Sequence, residues 1–224
     1  MTAAPTAPAA RLARDVPDYW DDACRHLVKR DRVMKKLIPK FGDARLQSNG
    51  DAFTTLARSI VGQQVSTKSA QGAWRKLAAT VDRASDDPLE PTAVLGLPQD
   101  ALRGVGLSAR KVEYLSDLAR HFNDGAVHVA QWNDMDDESI VEELVAIRGI
   151  GRWTAEMFLI FHLLRPNVLP LDDPGLIRGI SENYFSGEPV SRAEARELGE
   201  GWSPYRSVAT WYLWRSLDPM TRPA

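Results

Sequence analysis

The chain is short of cysteine: Cys24 is the only one in 224 residues. One thiol excludes an intramolecular disulfide. It equally excludes a cysteine-ligated iron–sulfur cluster and a zinc finger, each of which needs several thiolates. A lone thiol fits a reducing cytosol, so a cytoplasmic protein is expected. Long apolar runs are also missing. No stretch approaches the ~20 residues of a membrane helix, and no membrane partner is expected. Residues 1–10 are rich in Ala, Pro and Thr and lack the basic-then-apolar order of a signal peptide. Residues 1–15 are read as a disordered tail. Positive charge is not in excess either: 28 Lys+Arg against 30 Asp+Glu leaves a net charge of −2. That excludes coating a polyanion by bulk charge, but not a local basic patch on one face. Strand signals are weak throughout, apart from a short candidate at 168–171.

What is present is helical period. Helices are expected over 18–30, over 31–38 as far as Pro39, and over 53–61, where Gly62-Gln-Gln-Val-Ser66 interrupts. Ser66 is placed to cap the next helix, which runs to Leu77. A proline-punctuated loop with a short helix follows over 86–98. Leu102-Arg-Gly-Val-Gly-Leu-Ser108 then forms a glycine turn, with Ser108 capping a helix over 109–122. Further helices are expected from Asp173-Pro174, over 192–198 and over 205–217. The reading is an all-α chain, long enough for one large domain or two helical lobes. One lobe would take 16–60 with 175–224, and a hairpin lobe would take about 61–174, with a cleft between them.

The most informative stretch is Leu144-Val-Ala-Ile-Arg-Gly-Ile-Gly-Arg-Trp-Thr-Ala155. An apolar helical run (Ile140, Val141, Leu144, Ile147) stops at Gly149-Ile-Gly151, and a second begins (Ala155, Phe158, Leu159, His162). Glycines at alternate positions let the backbone turn sharply without Cβ obstruction. The second helix then opens with free N–H groups and the positive end of its dipole, a seat for phosphate. A plain helix–helix connector would read the same way in isolation. Basic residues near the glycine turns are Arg103, Arg110, Lys111, Arg148 and Arg152. Downstream, Asp173 precedes Pro174, the pattern of an N-cap with proline at the first helical position. An N-cap role and a chemical role are compatible, because a fixed anion in a water-poor site stabilises developing positive charge. Asp172 is the alternative carboxylate.

The hairpin, the aspartate spacing and the flanking segments together resemble the helix–hairpin–helix DNA glycosylase superfamily, and within it the 3-methyladenine DNA glycosylase II type, from about residue 31 to 215. The resemblance implies an all-helical base excision repair enzyme acting on double-stranded DNA that carries alkylated bases. Its reaction is hydrolysis of the N-glycosidic bond of 3-methyladenine- and 7-methylguanine-type purines. Asp173 would be catalytic, since Asp173-Pro-Gly-Leu176 fits the family frame of aspartate, two variable positions and an apolar residue. Bifunctional relatives hold a Schiff-base lysine directly after Gly-x-Gly-Arg. Here that position is Trp153, which implies a monofunctional enzyme with water as nucleophile and an abasic product. Trp214, Trp153 and Met157 would line the base pocket, where an electron-rich indole face attracts a cationic purine.

The same resemblance places Gln63, Gln64, Ser66, Gly104, Gly106, Arg148, Gly149, Gly151, Arg152 and Thr154 on DNA. Gln64 would fill the gap left by the flipped nucleotide. No organic cofactor is expected, though the resemblance allows a Na+ or K+ on the carbonyls of Val145, Ile147 and Ile150. The chain is expected to act as a monomer. Two rival readings stay open: a non-catalytic helix–hairpin–helix DNA-binding module, and a glycosylase for deaminated or mismatched bases.

Overall fold

The computed structural model describes residues 16–48 and 50–218, so the tail expected at 1–15 lies outside the described residues. Among the described residues twelve α-helices follow one another: α1 (Trp20–Arg30), α2 (Arg32–Leu37), α3 (Ala52–Gly62), α4 (Thr67–Thr80), α5 (Pro91–Leu95), α6 (Gln99–Gly104), α7 (Ala109–Asn123), α8 (Asp137–Val145), α9 (Arg152–Phe161), α10 (Pro174–Tyr184), α11 (Arg192–Glu200) and α12 (Arg206–Ser216). Among the described residues there is no strand, and no helix is long and apolar enough to cross a membrane. The strand candidate at 168–171 is irregular chain. Two of its N–H groups find partners outside any ladder: the Ser207 hydroxyl accepts the Val168 N–H at 2.9 Å, and the Leu169 carbonyl accepts the Leu171 N–H at 3.0 Å. Those N–H groups are satisfied without a neighbouring strand.

The chain forms two compact units. Among the described residues, one holds 50–136 and Glu142–Ile150, and the other holds Val16–Ser48, Asp137–Val141 and 151–218. The limits differ from those read off the sequence. α3 belongs wholly to unit one, and α9 with the segment to Asp173 belongs to unit two. The chain passes between the units inside α8 and again at the Ile150–Gly151 peptide, so the boundary cuts a helix and a glycine turn. Neither carries the composition change that marks a linker.

In unit one, α7 packs against α3 and α5, burying Leu56, Ile60, Val94, Leu115 and Leu118. Each such side chain contributes roughly 1.5–3 kcal/mol by leaving water. Helix starts follow side-chain caps at Asp51, Ser66 and Ser108, the last two as the sequence implied. In unit two, α12 packs against α1, α2 and α10. Its burial is nearly all-round over Ser207–Leu213, which is why it shows no polar face. Where α10 crosses α12, a Cβ on Gly179 would lie 3.0 Å from the Leu213 Cβ and 3.1 Å from its carbonyl oxygen. Only glycine permits that approach. Trp20 packs edge-on to Trp211 at 5.2 Å and closes the core beneath.

Candidate active site

Asp173 is the N-cap of α10 and is 7% exposed. Its Oδ1 accepts the Leu176 backbone N–H at 2.6 Å and the Trp214 indole N–H at 2.7 Å. Its Oδ2 accepts the Trp153 indole N–H at 2.8 Å. Three N–H donors on one carboxylate suit the anion, since an ionised carboxylate is acceptor-only. Oδ2 receives a single donor among the described residues and keeps acceptor capacity for a reacting group. Asp172, the alternative, is exposed and pairs with Arg192 at 2.6 Å. The burial and the convergent indoles single out Asp173.

The local sequence explains the convergence. Pro174 needs no N–H acceptor at the start of α10. Gly175 leaves the room Trp214 uses: a Cβ there would lie 3.0 Å from the Asp173 Oδ1 and 3.1 Å from the Trp214 Nε1. Sequence reasoning treated this as a variable position and missed it. Nothing in the chain signals the constraint, because the partner ring arrives from α12.

Along α9, Trp153, Met157 and Phe161 fall four residues apart and so share one face. Trp153 is 47% exposed and Phe161 40%, with Met157 half-buried. Phe161 stacks on Trp214, ring centroids 5.4 Å apart and planes 14° apart. Aromatic faces open to solvent beside a buried carboxylate form a surface for a flat ring. Phe161 was also missed, although its i+8 spacing from Trp153 was readable. Trp211 and Tyr212, by contrast, are buried core residues.

α9 starts at Gly151 with no side-chain cap, so its first N–H groups remain available to an anion. Thr154 is half-buried in that first turn. Arg152, expected on DNA, has carboxylate partners within the chain. Its guanidinium grips Glu138 at 2.7 and 2.6 Å and Glu156 at 3.2 Å. Hydrogen bonding to Glu138 holds that guanidinium even more firmly protonated. Burial pushes the Glu156 carboxyl up, and Arg152 offsets part of the effect. The side chain thus ties α9 to the start of α8, and its charge is spent on carboxylates.

In unit one, Gly149 has φ +88° and Gly106 φ +100°, the left-handed region that favours glycine. Gly104 instead ends α6. The two glycine turns share a frame: a left-handed glycine, a buried apolar residue (Leu107 or Ile150), then the N-cap (Ser108 or Gly151). Arg148 is exposed, and its backbone N–H donates to Asp117 Oδ2 at 2.9 Å. Of the carbonyls considered for a cation, that of Ile147 accepts the Ile150 N–H at 3.1 Å. Those of Val145 and Ile150 receive no donor among the described residues, so the donor set fits a monovalent ion in part.

Gln64, with φ +55°, is exposed at the end of the α3 turn, as is Ser66 at the cap of α4. Gln63 is half-buried, and its amide donates to the Gly149 carbonyl at 2.8 Å. Gln63, Gln64, Ser108, Arg110, Lys111, Tyr114 and Gly149 line a concavity of about 410 Å³. The structure thus gathers the two glutamines, both glycine turns and two basic residues in one place. Arg152 is not among these lining residues, and its charge is engaged by Glu138 and Glu156.

A helical fold with a glycine hairpin, a buried aspartate at the next helix start and indoles on its oxygens has clear relatives. The family model for the HhH-GPD superfamily of base excision DNA repair proteins matches residues 57–204. The chain belongs to that superfamily. A solved DNA-3-methyladenine glycosidase from Bacillus halodurans is 31% identical and superposes with a TM-score of 0.83, covering 93% of this chain and 94% of that one. The Schizosaccharomyces pombe 3-methyladenine DNA glycosylase, solved in complex with abasic DNA, is 26% identical with a TM-score of 0.77, covering 91% and 100%. DNA-3-methyladenine glycosylase 1 of the same yeast is 28% identical over 204 residues, 88% of this chain and 89% of the relative. More distant 8-oxoguanine glycosylase/lyase structures, 16% and 15% identical, share the fold alone.

Proposed function

We propose that this protein is a monofunctional DNA glycosylase that hydrolyses the N-glycosidic bond of alkylated purines, of the 3-methyladenine and 7-methylguanine type, in double-stranded DNA and leaves an abasic site. The observation that carries the reading is the buried Asp173 carboxylate, held by one backbone and two indole N–H groups beside the open aromatic faces of Trp153, Phe161 and Trp214. An alkylated purine carries a formal positive charge. A π-face attracts it, and it leaves as a neutral base that takes the electron pair of the broken C1′–N bond. Positive charge then develops on the deoxyribose, where the fixed anion stabilises it. Water adds at C1′, and its proton passes to Asp173 Oδ2. One carboxylate is enough because the leaving group needs no general acid, unlike the paired acids of ordinary glycosidases.

Trp153 occupies the position after the hairpin arginine, and its indole cannot form an imine. Gly149 and Gly151 are read as phosphate contacts, with Gln64 as the plug of the vacated stack. A Na+ or K+ on the Val145, Ile147 and Ile150 carbonyls would add positive charge at the same turn. The protein acts as a monomer in the compartment that holds the DNA.

Incubating the protein with methylated duplex DNA is expected to release free 3-methyladenine and 7-methylguanine. The strand stays intact until alkali is added, and borohydride traps no covalent adduct. Binding without release would return the protein to the class of DNA-binding modules. Efficient borohydride trapping would replace the hydrolytic mechanism with an amine-based one.

A further inference from the structure

The two residues beside Gln64 in unit one do work that the stack-filling role alone does not require. α3 ends at Gly62, and the chain then turns through Gln63 into Gln64, a non-glycine residue at φ +55°. Left-handed geometry is unfavourable for an L-residue with a Cβ and persists only where its surroundings fix it. Two side chains do so here. The Lys111 ammonium, from the first turn of α7, donates to the Val61 carbonyl at 2.7 Å. That carbonyl belongs to the last turn of α3, where a cation is favoured by the helix dipole. On the other side of the turn, the Gln63 amide donates to the Gly149 carbonyl at 2.8 Å. Gly149 is itself fixed, because a Cβ there would drive into the Tyr114 ring of α7. So α7 braces the α3 end through Lys111 and the hairpin through Tyr114, and Gln63 closes the circuit.

We propose that Gln63 and Lys111 are positioning residues that preset Gln64 in its left-handed conformation against the hairpin, so that the turn enters the base stack already ordered. The inference rests on the glycosylase reading for its substrate, but the brace itself is a property of unit one. Its consequence is selective. A preset plug matters where a stacked, paired nucleotide must be displaced, and matters little where the stack is already open. Losing one hydrogen bond of the brace should slow the paired case by about tenfold.

The test uses the full chain and a duplex carrying a single 7-methylguanine, placed either opposite cytosine or opposite a tetrahydrofuran abasic analogue. Gln63→Leu and Lys111→Met are each expected to slow single-turnover release opposite cytosine by about tenfold. Opposite the analogue the loss should shrink to about twofold. Lys111→Arg, which keeps a cationic donor, should recover most of the paired-site rate. A merely structural role would lower both rates together and would not distinguish arginine from methionine.

A second measurement does not depend on chemistry. A 2-aminopurine beside a tetrahydrofuran site in duplex DNA should brighten when the protein unstacks it, and less so with either variant. Brightening that depends on Gln63 and Lys111, without any base release, would keep the brace and sink the glycosylase reading. Equal losses on both substrates, or variants indistinguishable from wild type in both measurements, would overturn the brace. Two variants at separate residues keep the test decisive if one of them fails to fold.

Discussion

Unit two contains two aspartates that cap helices and accept indole hydrogen bonds, and their comparison separates a fully occupied carboxylate from one with acceptor capacity to spare. Asp31 caps α2. Its Oδ1 accepts the Val33 and Met34 N–H groups at 2.7 and 2.9 Å, and its Oδ2 accepts the Tyr184 hydroxyl at 2.7 Å and the Trp202 indole at 3.0 Å. Asp173 caps α10 with one backbone donor and two indoles. At Asp31 both oxygens carry two donors, and the indole partner, Trp202, is fully buried. At Asp173 one oxygen carries a single donor, and Trp153, which supplies it, is nearly half exposed. Capping plus an indole is therefore no mark of chemistry by itself. What sets Asp173 apart, and supports the role proposed for it, is unfilled acceptor capacity beneath an accessible aromatic face.

The comparison breaks first at the charge. Asp173→Asn keeps an oxygen for the Leu176 N–H and removes the anion. Single-turnover excision should fall by ~10²–10³ or more, with DNA affinity and melting temperature close to wild type. Asp172→Asn should cost little, because that carboxylate is exposed on Arg192. A dead Asp172 variant beside an active Asp173 variant would transfer the role. At the other cap the expected effects invert. Asp31→Ala leaves four donors without their acceptor and should destabilise the fold by about 3 kcal/mol. The rate per folded molecule should be unchanged, which denaturant titration and an active-site count would read separately.

A finer break tests the approach of Trp214 to Asp173. Gly175→Ala puts a methyl 3.0 Å from the carboxylate oxygen and 3.1 Å from the indole nitrogen. Trp214 must withdraw, and losing one charge-assisted hydrogen bond should slow excision by about tenfold. The same loss from Trp214→Phe, with no further loss in the double variant, would show that the glycine acts through the tryptophan. Additive losses would show that it does not.

How much of this was legible in the sequence divides along the same line. The helices, the Ser66 and Ser108 caps, the hairpin and the capping position of Asp173 follow from local patterns (period, punctuation and an Asp-Pro step), and its choice as the catalytic carboxylate follows from the family frame. The four-donor set of Asp31 was not legible, because Tyr184 and Trp202 lie 153 and 171 residues away in sequence. Partners of that kind are set by how helices pack, and no window of sequence contains them. Gly175 was hidden for the same reason, gaining its meaning from a ring on α12, whereas Phe161 was legible by its spacing from Trp153 and only its stacking on Trp214 was not. Arg152 shows a different limit. A basic residue beside a glycine turn reads as a phosphate ligand, and its carboxylate partners Glu138 and Glu156 come into view only in the fold.

The smallest effect expected concerns the partners of the two carboxylates rather than the carboxylates themselves. Asp31 is served by a phenol that can ionise, whereas the indoles on Asp173 do not titrate. Burial, reinforced by hydrogen bonding to Asp31 and by its charge, pushes the Tyr184 hydroxyl well above its ordinary value of 10.0. The folded state therefore retains this proton at a pH where the unfolded chain has released it. Bound protons are then more numerous in the folded state, and unfolding becomes easier as pH rises. The stabilisation is fully present below about pH 10 and is lost progressively above it. Tyr19 and Tyr212, also raised by burial, add to the same slope. Urea titrations at stepped pH should thus show wild-type stability falling from about pH 10 upward. Tyr184→Phe should be less stable at neutral pH, because Asp31 loses a donor, and should fall less steeply in the alkaline range. Parallel alkaline slopes for the two proteins would mean that Tyr184 ionises as readily folded as unfolded, and that the Asp31 cap does not hold its proton.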